Sequence, residues 1–251
     1  KGIAGSKFVG FKNFIDFLTG RDFIRVFKNT IMISFWQIVV CFPVPILLAV
    51  AVTEMKNKIV SKFTQMATLL PYFVSVVVVC GMVKELLAAQ GPINKLIEMF
   101  GADKIAFMSE PGWFDFVYIA SGVWQALGWG TILYLAAMTG INTELYEAAS
   151  MDGAGRFQQV IHVTIPGIMP TIMTLLIMDI GGIVTSSNMQ KILLLYNPLN
   201  QQRADIIGTL GITGGNFSYA AAVGLFEGVI GLILVTSANF LSKKFTETSL
   251  W

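Results

Sequence analysis

NTIMISFWQIVVCFPVPILLAVAVT, running from Asn29 to Thr53, contains no charged side chain. As helix, at about 1.5 Å of rise per residue, it exceeds the ~20 residues that cross ~30 Å of hydrocarbon. Working outward, Phe63 to Val83 and Phe116 to Thr143 meet the same test. Two further stretches, about Thr164 to Ser187 and Phe217 to Leu241, are as apolar but hold one acid each, Asp179 and Glu227. The chain therefore reads as all-α and transmembrane, with five spans and its termini on opposite faces. Composition agrees, with 55% hydrophobic and 13% charged residues over 251 positions, where a soluble domain carries about 25% charged. The net charge of +2 supplies no field for a polyanion, so no nucleic-acid partner is expected.

Pro43, Pro45 and Pro71 fall inside spans, where each predicts a kink, because neighbouring helices can satisfy the carbonyls a proline frees. Between spans, Gly91 to Gly101 places Ile93, Leu96, Ile97 and Phe100 on one face, which predicts a short amphipathic helix outside the bilayer core. Cys41 and Cys80 lie in apolar runs and read as small hydrophobes. Of the basic residues, Lys56, Lys58, Lys62, Arg156, Lys243 and Lys244 share one side, which is read as cytoplasmic. Lys1, Lys7, Lys12, Arg21, Arg25 and Lys28 then lie outside, against the rule. An upstream helix with its own basic flank, giving six spans in the full-length protein, would remove that conflict.

The polar stretch between the third and fourth spans carries the mechanism: Glu147-Ala148-Ala149-Ser150-Met151-Asp152-Gly153, then after nine residues Val163-Thr164-Ile165-Pro166. Asn142 is placed to cap a short helix with Glu144 near its positive end. Gly153 supplies a sharp turn, and Pro166 suits the first turn of the next span. A helix lying across the membrane face, with a ridge of small residues (Ala148, Ala149, Ala154), can seat in a partner's cleft. On spacing alone an ordinary connecting loop is the alternative.

This pattern resembles the signature loop, the EAA motif, of bacterial ABC importer permeases, and the match runs from Glu147 to Pro170 with Val163 and Ile165 where Ile and Leu are usual. Phe8-Val9-Gly10-Phe11-Lys12-Asn13-Phe14, Leu194-Leu195-Tyr196-Asn197-Pro198 and Ala204-Asp205-Ile206-Ile207-Gly208-Thr209 are similar to the sugar-importing branch, which includes permeases for maltose and for complex oligosaccharides. The resemblance implies a type I importer core in the bacterial inner membrane. In it, two permeases (homodimer or heterodimer) sit above two ATPase subunits and beneath an extracytoplasmic solute-binding protein. Glu147, Ala148, Ala149, Asp152 and Gly153 would form the coupling helix, the glutamate touching the ATPase and the glycine permitting the turn. ATP and Mg would be bound by that ATPase, this chain being a transport subunit rather than an enzyme. On this view residues 1–28 are an extracytoplasmic loop, 29–242 the permease domain with a coupling loop at 142–163, and 243–251 a cytoplasmic tail. The chain has no G-x-x-x-x-G-K-[S/T] loop, so the motor must be elsewhere.

Ionisable groups inside a span are costly and face a cavity or a partner. Asp179, ~20 Å in from Pro166, and Glu227, ~15 Å in from Phe217, qualify. Trp124 and Gln125 lie ~12 to 14 Å from the outer face by the same rise. An aromatic face beside hydrogen-bonding groups suits a sugar, whose C–H face stacks while its hydroxyls pair. Packing against lipid or neighbouring helices is the other reading for each. Asn188, Gln190 and Lys191 lie where the fourth span ends. Lys191 without an acid at Gln190 favours an anionic solute such as a uronate oligomer, while the two intramembrane acids favour the opposite, so substrate charge stays open. His162, the single histidine, cannot alone make a metal site and reads as packing in the loop. Two rivals remain. An ion-coupled secondary transporter would use the two acids but needs inverted repeats and gives the Glu147 loop no role. A permease of the same family for a non-sugar solute would share the loop but not the flanking similarities.

Overall fold

The computed structural model describes residues 8–182, 189–213 and 216–246. Helix begins well before the first apolar run: α1 (Lys12–Leu18) and α2 (Phe23–Trp36) are followed by a π-helical turn, Gln37–Cys41, and by α3 (Pro43–Glu54). Pro43 and Pro45 cannot donate to the carbonyls four residues back, and the widened turn directly ahead of them absorbs that loss without breaking the span.

The second run behaves differently. α4 (Lys58–Leu69) is capped by Asn57, which accepts from the N–H groups of Ile59 and Val60. It ends in a 3₁₀ turn, Leu70–Phe73, and α5 (Val76–Leu86) leaves at 100° to it. The expected single span Phe63 to Val83 is thus a bent pair. Pro71 withdraws one donor, Val74 is extended, and Ser75 starts a new helix by accepting from the Val78 N–H.

After α6 (Pro92–Met99), α7 (Pro111–Thr139) runs straight through the bundle; Pro111 sets its start and Gly140 its end, a few residues from the expected Phe116 to Thr143. Then come α8 (Thr143–Met151), α9 (Arg156–Gln159), a second π turn (Val160–Thr164), α10 (Ile165–Gly167) and α11 (Met169–Gly182), with a 60° bend before α11. Helix therefore starts at Arg156, and Pro166 stands at the bend rather than in the first turn of a span. Again a π turn immediately precedes a proline. The remaining described helices are α12 (Met189–Leu195), α13 (Gln201–Ala204), α14 (Ile207–Thr213) and α15 (Phe217–Thr246). Among the described residues three helices are long and apolar enough to cross a membrane, and five spans result if each bent pair crosses once.

α7 is the axis of the bundle. Its Tyr134 and Met138 are buried with Ala49, Ile168 and Ile172 near α8, and its Phe114, Tyr118 and Ile119 with Ile33, Cys80 and Ile192 toward the other end. Leu47, Leu225, Leu232 and Phe240 are between 62% and 70% exposed, an arrangement costly in water and expected against lipid. Gly128 lets α7 touch α4: a Cβ there would stand 2.3 Å from the Thr68 carbonyl oxygen and 2.4 Å from the Leu69 nitrogen. Backbone cannot yield as a side chain does, so Gly128→Ala is expected to cost about 1–3 kcal/mol. A lowered melting midpoint of the detergent-purified protein would register it; an unchanged midpoint would mean that the two helices separate freely.

Candidate functional site

At one end of the bundle α8 projects with none of its residues buried. The expected cap is present, Asn142 Oδ1 accepting from the Glu144 N–H at 3.0 Å. Glu147, Ala148, Asp152 and Gly153 are exposed and Ala149 half-buried. Gly153 takes φ of +81°, in the left-handed region, and the chain closes behind α8 through Asp152 N–H to Ala148 O and Ala154 N–H to Ala149 O. The bracing comes from other residues. Tyr146 Oη lies 3.0 Å from Thr164 Oγ1, and Gln159 Nε2 donates to Ser150 Oγ at 2.8 Å, so α8 is pinned to the foot of the next membrane segment. Arg156 meets Glu54 at 3.6 Å, joining that foot to the end of α3. His162 Nδ1 lies 2.9 Å from the Gln158 carbonyl. The result is a short rigid bar attached directly to two spans, with Glu147, Ala148 and Gly153 on the outside and Ala149 and Ala154 half-buried.

Deeper in the bundle a cavity of about 510 Å³ opens between the first span, α7 and α11; Gln37, Cys41, Phe42, Trp129, Tyr134 and Asp179 are among its walls. Asp179 is thus part of the cavity wall. The tryptophan that lines the cavity is Trp129, 46% exposed and stacked on Tyr72 at 4.9 Å and 6°. Trp124, 45% exposed, lies outside the lining. Gln125 instead donates to the Val74 carbonyl at 3.0 Å, satisfying the backbone that the α4–α5 bend frees. Glu227 is 4% exposed and faces Gly208 of α14, whose Cβ would stand 3.2 Å from its Oε1. Asn188 lies outside the described residues. Sequence reading overlooked Trp129 and Gln37; their signal, a polar or amphipathic side chain inside a span, was present.

The opposite end of the bundle is closed by charge. Asp205, buried, receives Arg25 Nη2 at 2.8 Å, and Asn29 Nδ2 donates to the carbonyls of Gln202 at 2.8 Å and Asp205 at 3.0 Å. Arg203 forks onto Asp115 at the start of α7. Tyr196, just past α12, has its phenol pushed above the ordinary range by burial and then by the Asp205 carboxylate.

The family described as "Binding-protein-dependent transport system inner membrane component" matches residues 41–247. The polygalacturonan/rhamnogalacturonan transport system permease protein YteP of Bacillus subtilis (strain 168) is 42% identical over 255 residues, covering 100% of this chain and 79% of the relative. The protein LplB of the same organism is 39% identical over 251 residues, covering 98% and 79%. A chain of the crystal structure of a bacterial alginate ABC transporter, in complex with alginate pentasaccharide-bound periplasmic protein, superposes with a TM-score of 0.92 at 38% identity over 96% of this chain and 85% of that one. The fold is that of a type I ABC importer permease, and the chain belongs to the binding-protein-dependent transport system inner membrane component family.

Proposed function

We propose that this chain is one permease of an ATP-driven importer of acidic oligosaccharides, paired with a second permease, two ATPase subunits and an extracytoplasmic solute-binding protein. The observation that carries this is α8: an exposed, self-braced bar with Glu147 outward and Gly153 at its turn, joined to two spans. A bar of this kind converts closure of an ATPase pair into rotation of the helices it is fixed to. Closure would draw two such bars together and open the cavity outward, and hydrolysis would reset it. The cytoplasmic side is then the α8 end, and the Arg25–Asp205 end is extracytoplasmic. Residues 8–28, helical in part, lie on that outer side, and the C-terminus of α15 on the inner. The solute class follows from the relatives named for polygalacturonan/rhamnogalacturonan and alginate transport and from a cavity that pairs an aromatic wall with hydrogen-bonding groups.

Reconstituted with its partners in proteoliposomes, the chain is expected to import an oligouronide only when ATP is hydrolysed. Uptake driven by an ion gradient without ATP would overturn the reading. Within the cavity, Trp129→Ala removes the ring on which a sugar stacks and is expected to lower uptake about tenfold, the size of a lost stacking contact of ~1.4 kcal/mol. Asp179→Asn tests the polar wall in the same assay. If neither substitution alters uptake, the solute passes elsewhere.

A further inference from the structure

Lys191 stands in the first turn of α12, half-buried, and a lysine drawn into a membrane bundle needs a partner. Among the described residues no carboxylate pairs with it within 4.0 Å. Its Nζ lies 5.1 Å from the centre of the Tyr118 ring, which holds a cation by its electron-rich face and leaves the ammonium's hydrogen-bonding capacity unspent. The point where a Gly122 Cβ would stand is 3.2 Å from that Nζ and 4.0 Å from Cys41 Sγ, and Cys41 belongs to the cavity wall. The absence of a side chain at Gly122 is therefore what gives the ammonium its room, within about one side-chain length of the cavity. Tyr118 and Gly122 precede the lining residues Ala126 and Trp129 along α7, so Lys191 sits beside the cavity on the side away from α8.

We infer that Lys191 is the charge-selecting residue of the solute pathway, meeting a carboxylate of the incoming oligosaccharide ahead of the cavity and favouring anionic over neutral sugars. The inference rests on the oligosaccharide-importer reading above and assigns within it the group that reads charge. A cation balanced by an aromatic ring rather than by an acid keeps its attraction for a passing anion, and in a site screened from water that attraction is stronger than at a surface. Asp179 lies on the α11 wall of the cavity.

The test uses the complete importer in proteoliposomes, with binding protein loaded to saturation beforehand by either an oligouronide or its methyl ester of equal length. Uptake is counted per loaded binding protein, so that differences arise in the membrane. In Lys191→Met the ratio of acid to ester uptake is expected to fall about tenfold, and in Lys191→Arg to stay within about twofold of the starting protein, a tenfold change being ~1.4 kcal/mol. Acid and ester reduced in equal measure by Lys191→Met would make the lysine a packing residue on Tyr118 and overturn the inference. An unchanged ratio would overturn it as well. Should the starting protein import neither compound under ATP, the substrate class itself is wrong and the inference falls with it; the two failures are distinguished by that control.

Discussion

Glu147→Lys is expected to cut ATP-driven uptake about thirtyfold or more while the protein remains folded in the membrane. The two halves of that expectation rest on different parts of α8. Its attachment to the bundle runs through Tyr146, Ser150, Gln159 and the Asn142 cap, none of which involves the Glu147 side chain. Glu147 is exposed, and substitutions at such positions change stability by about 0.5 kcal/mol or less. If the same carboxylate seats in an ATPase cleft, reversing its sign places like charge where complementary charge stood. Loss of one central contact amounts to 2 kcal/mol or more, which is the thirtyfold quoted. Uptake, ATP hydrolysis stimulated by loaded binding protein, and co-purification of the ATPase subunits should fall together, with the melting midpoint of the isolated permease unmoved. Uptake within twofold of the starting protein would remove α8 from the coupling path. Gly153→Ala separates contact from geometry: nothing lies within 4 Å of a Cβ there, but φ of +81° is strained for alanine by about 1–2 kcal/mol. It is therefore expected to weaken coupling by misdirecting the bar while leaving Glu147 in place.

The spans were legible in the sequence because a continuous apolar run satisfies its own backbone in lipid only as helix, and a run such as Asn29 to Thr53 is long enough to cross as one. The α8 cap was legible for an equally local reason, since Asn142 and Glu144 are two residues apart. What was not legible depended on distant groups. The 100° break at Val74 needs Pro71 and Ser75 nearby, and it also needs Gln125, 51 positions away, to accept responsibility for the freed carbonyl. Hydropathy alone reads straight through it. Helix beginning at Arg156 rather than at about Thr164 was hidden likewise, because a π turn can absorb a proline that a regular turn cannot. In the cavity, Asp179 could be marked as an intramembrane acid from its surroundings in sequence. Which of two tryptophans faces the cavity, Trp124 or Trp129, is set by how α7 rotates against α3 and α11, and no property of either residue announces it. Glu227 shows the same division: its burial was foreseeable, its apposition to Gly208 of α14 was not.

At the end of the bundle away from α8, Asp205→Ala is expected to destabilise the protein by about 2–3 kcal/mol, seen as a fall of about 5–10 °C in the melting midpoint of the purified permease. Asp205 holds the start of the first span to the segment between α13 and α14, and its side chain is only 5% exposed. Removing it leaves the Arg25 guanidinium with Asp22 at 2.9 Å and the carbonyls of Gln201 and Gln202. Arg25 is itself 33% exposed, so water and Asp22 recover part of the loss, which puts the cost below the 3–5 kcal/mol typical of a broken buried pair. The Asn29 bonds to the Gln202 and Asp205 carbonyls are made to backbone and survive the change. Arg25→Met combined with Asp205→Ala should cost less than the sum of the single changes, because the double variant strands no charge. Additive costs would mean that the two residues act on separate parts of the fold. A midpoint within about 1 °C of the starting protein in Asp205→Ala would show that this end is held by apolar packing of Val26, Phe17 and Ile207 rather than by the ion pair. The distinction matters for transport, since an end held by ion pairs can be opened by a docking protein that competes for their charges, whereas an end held by packing must move as a block.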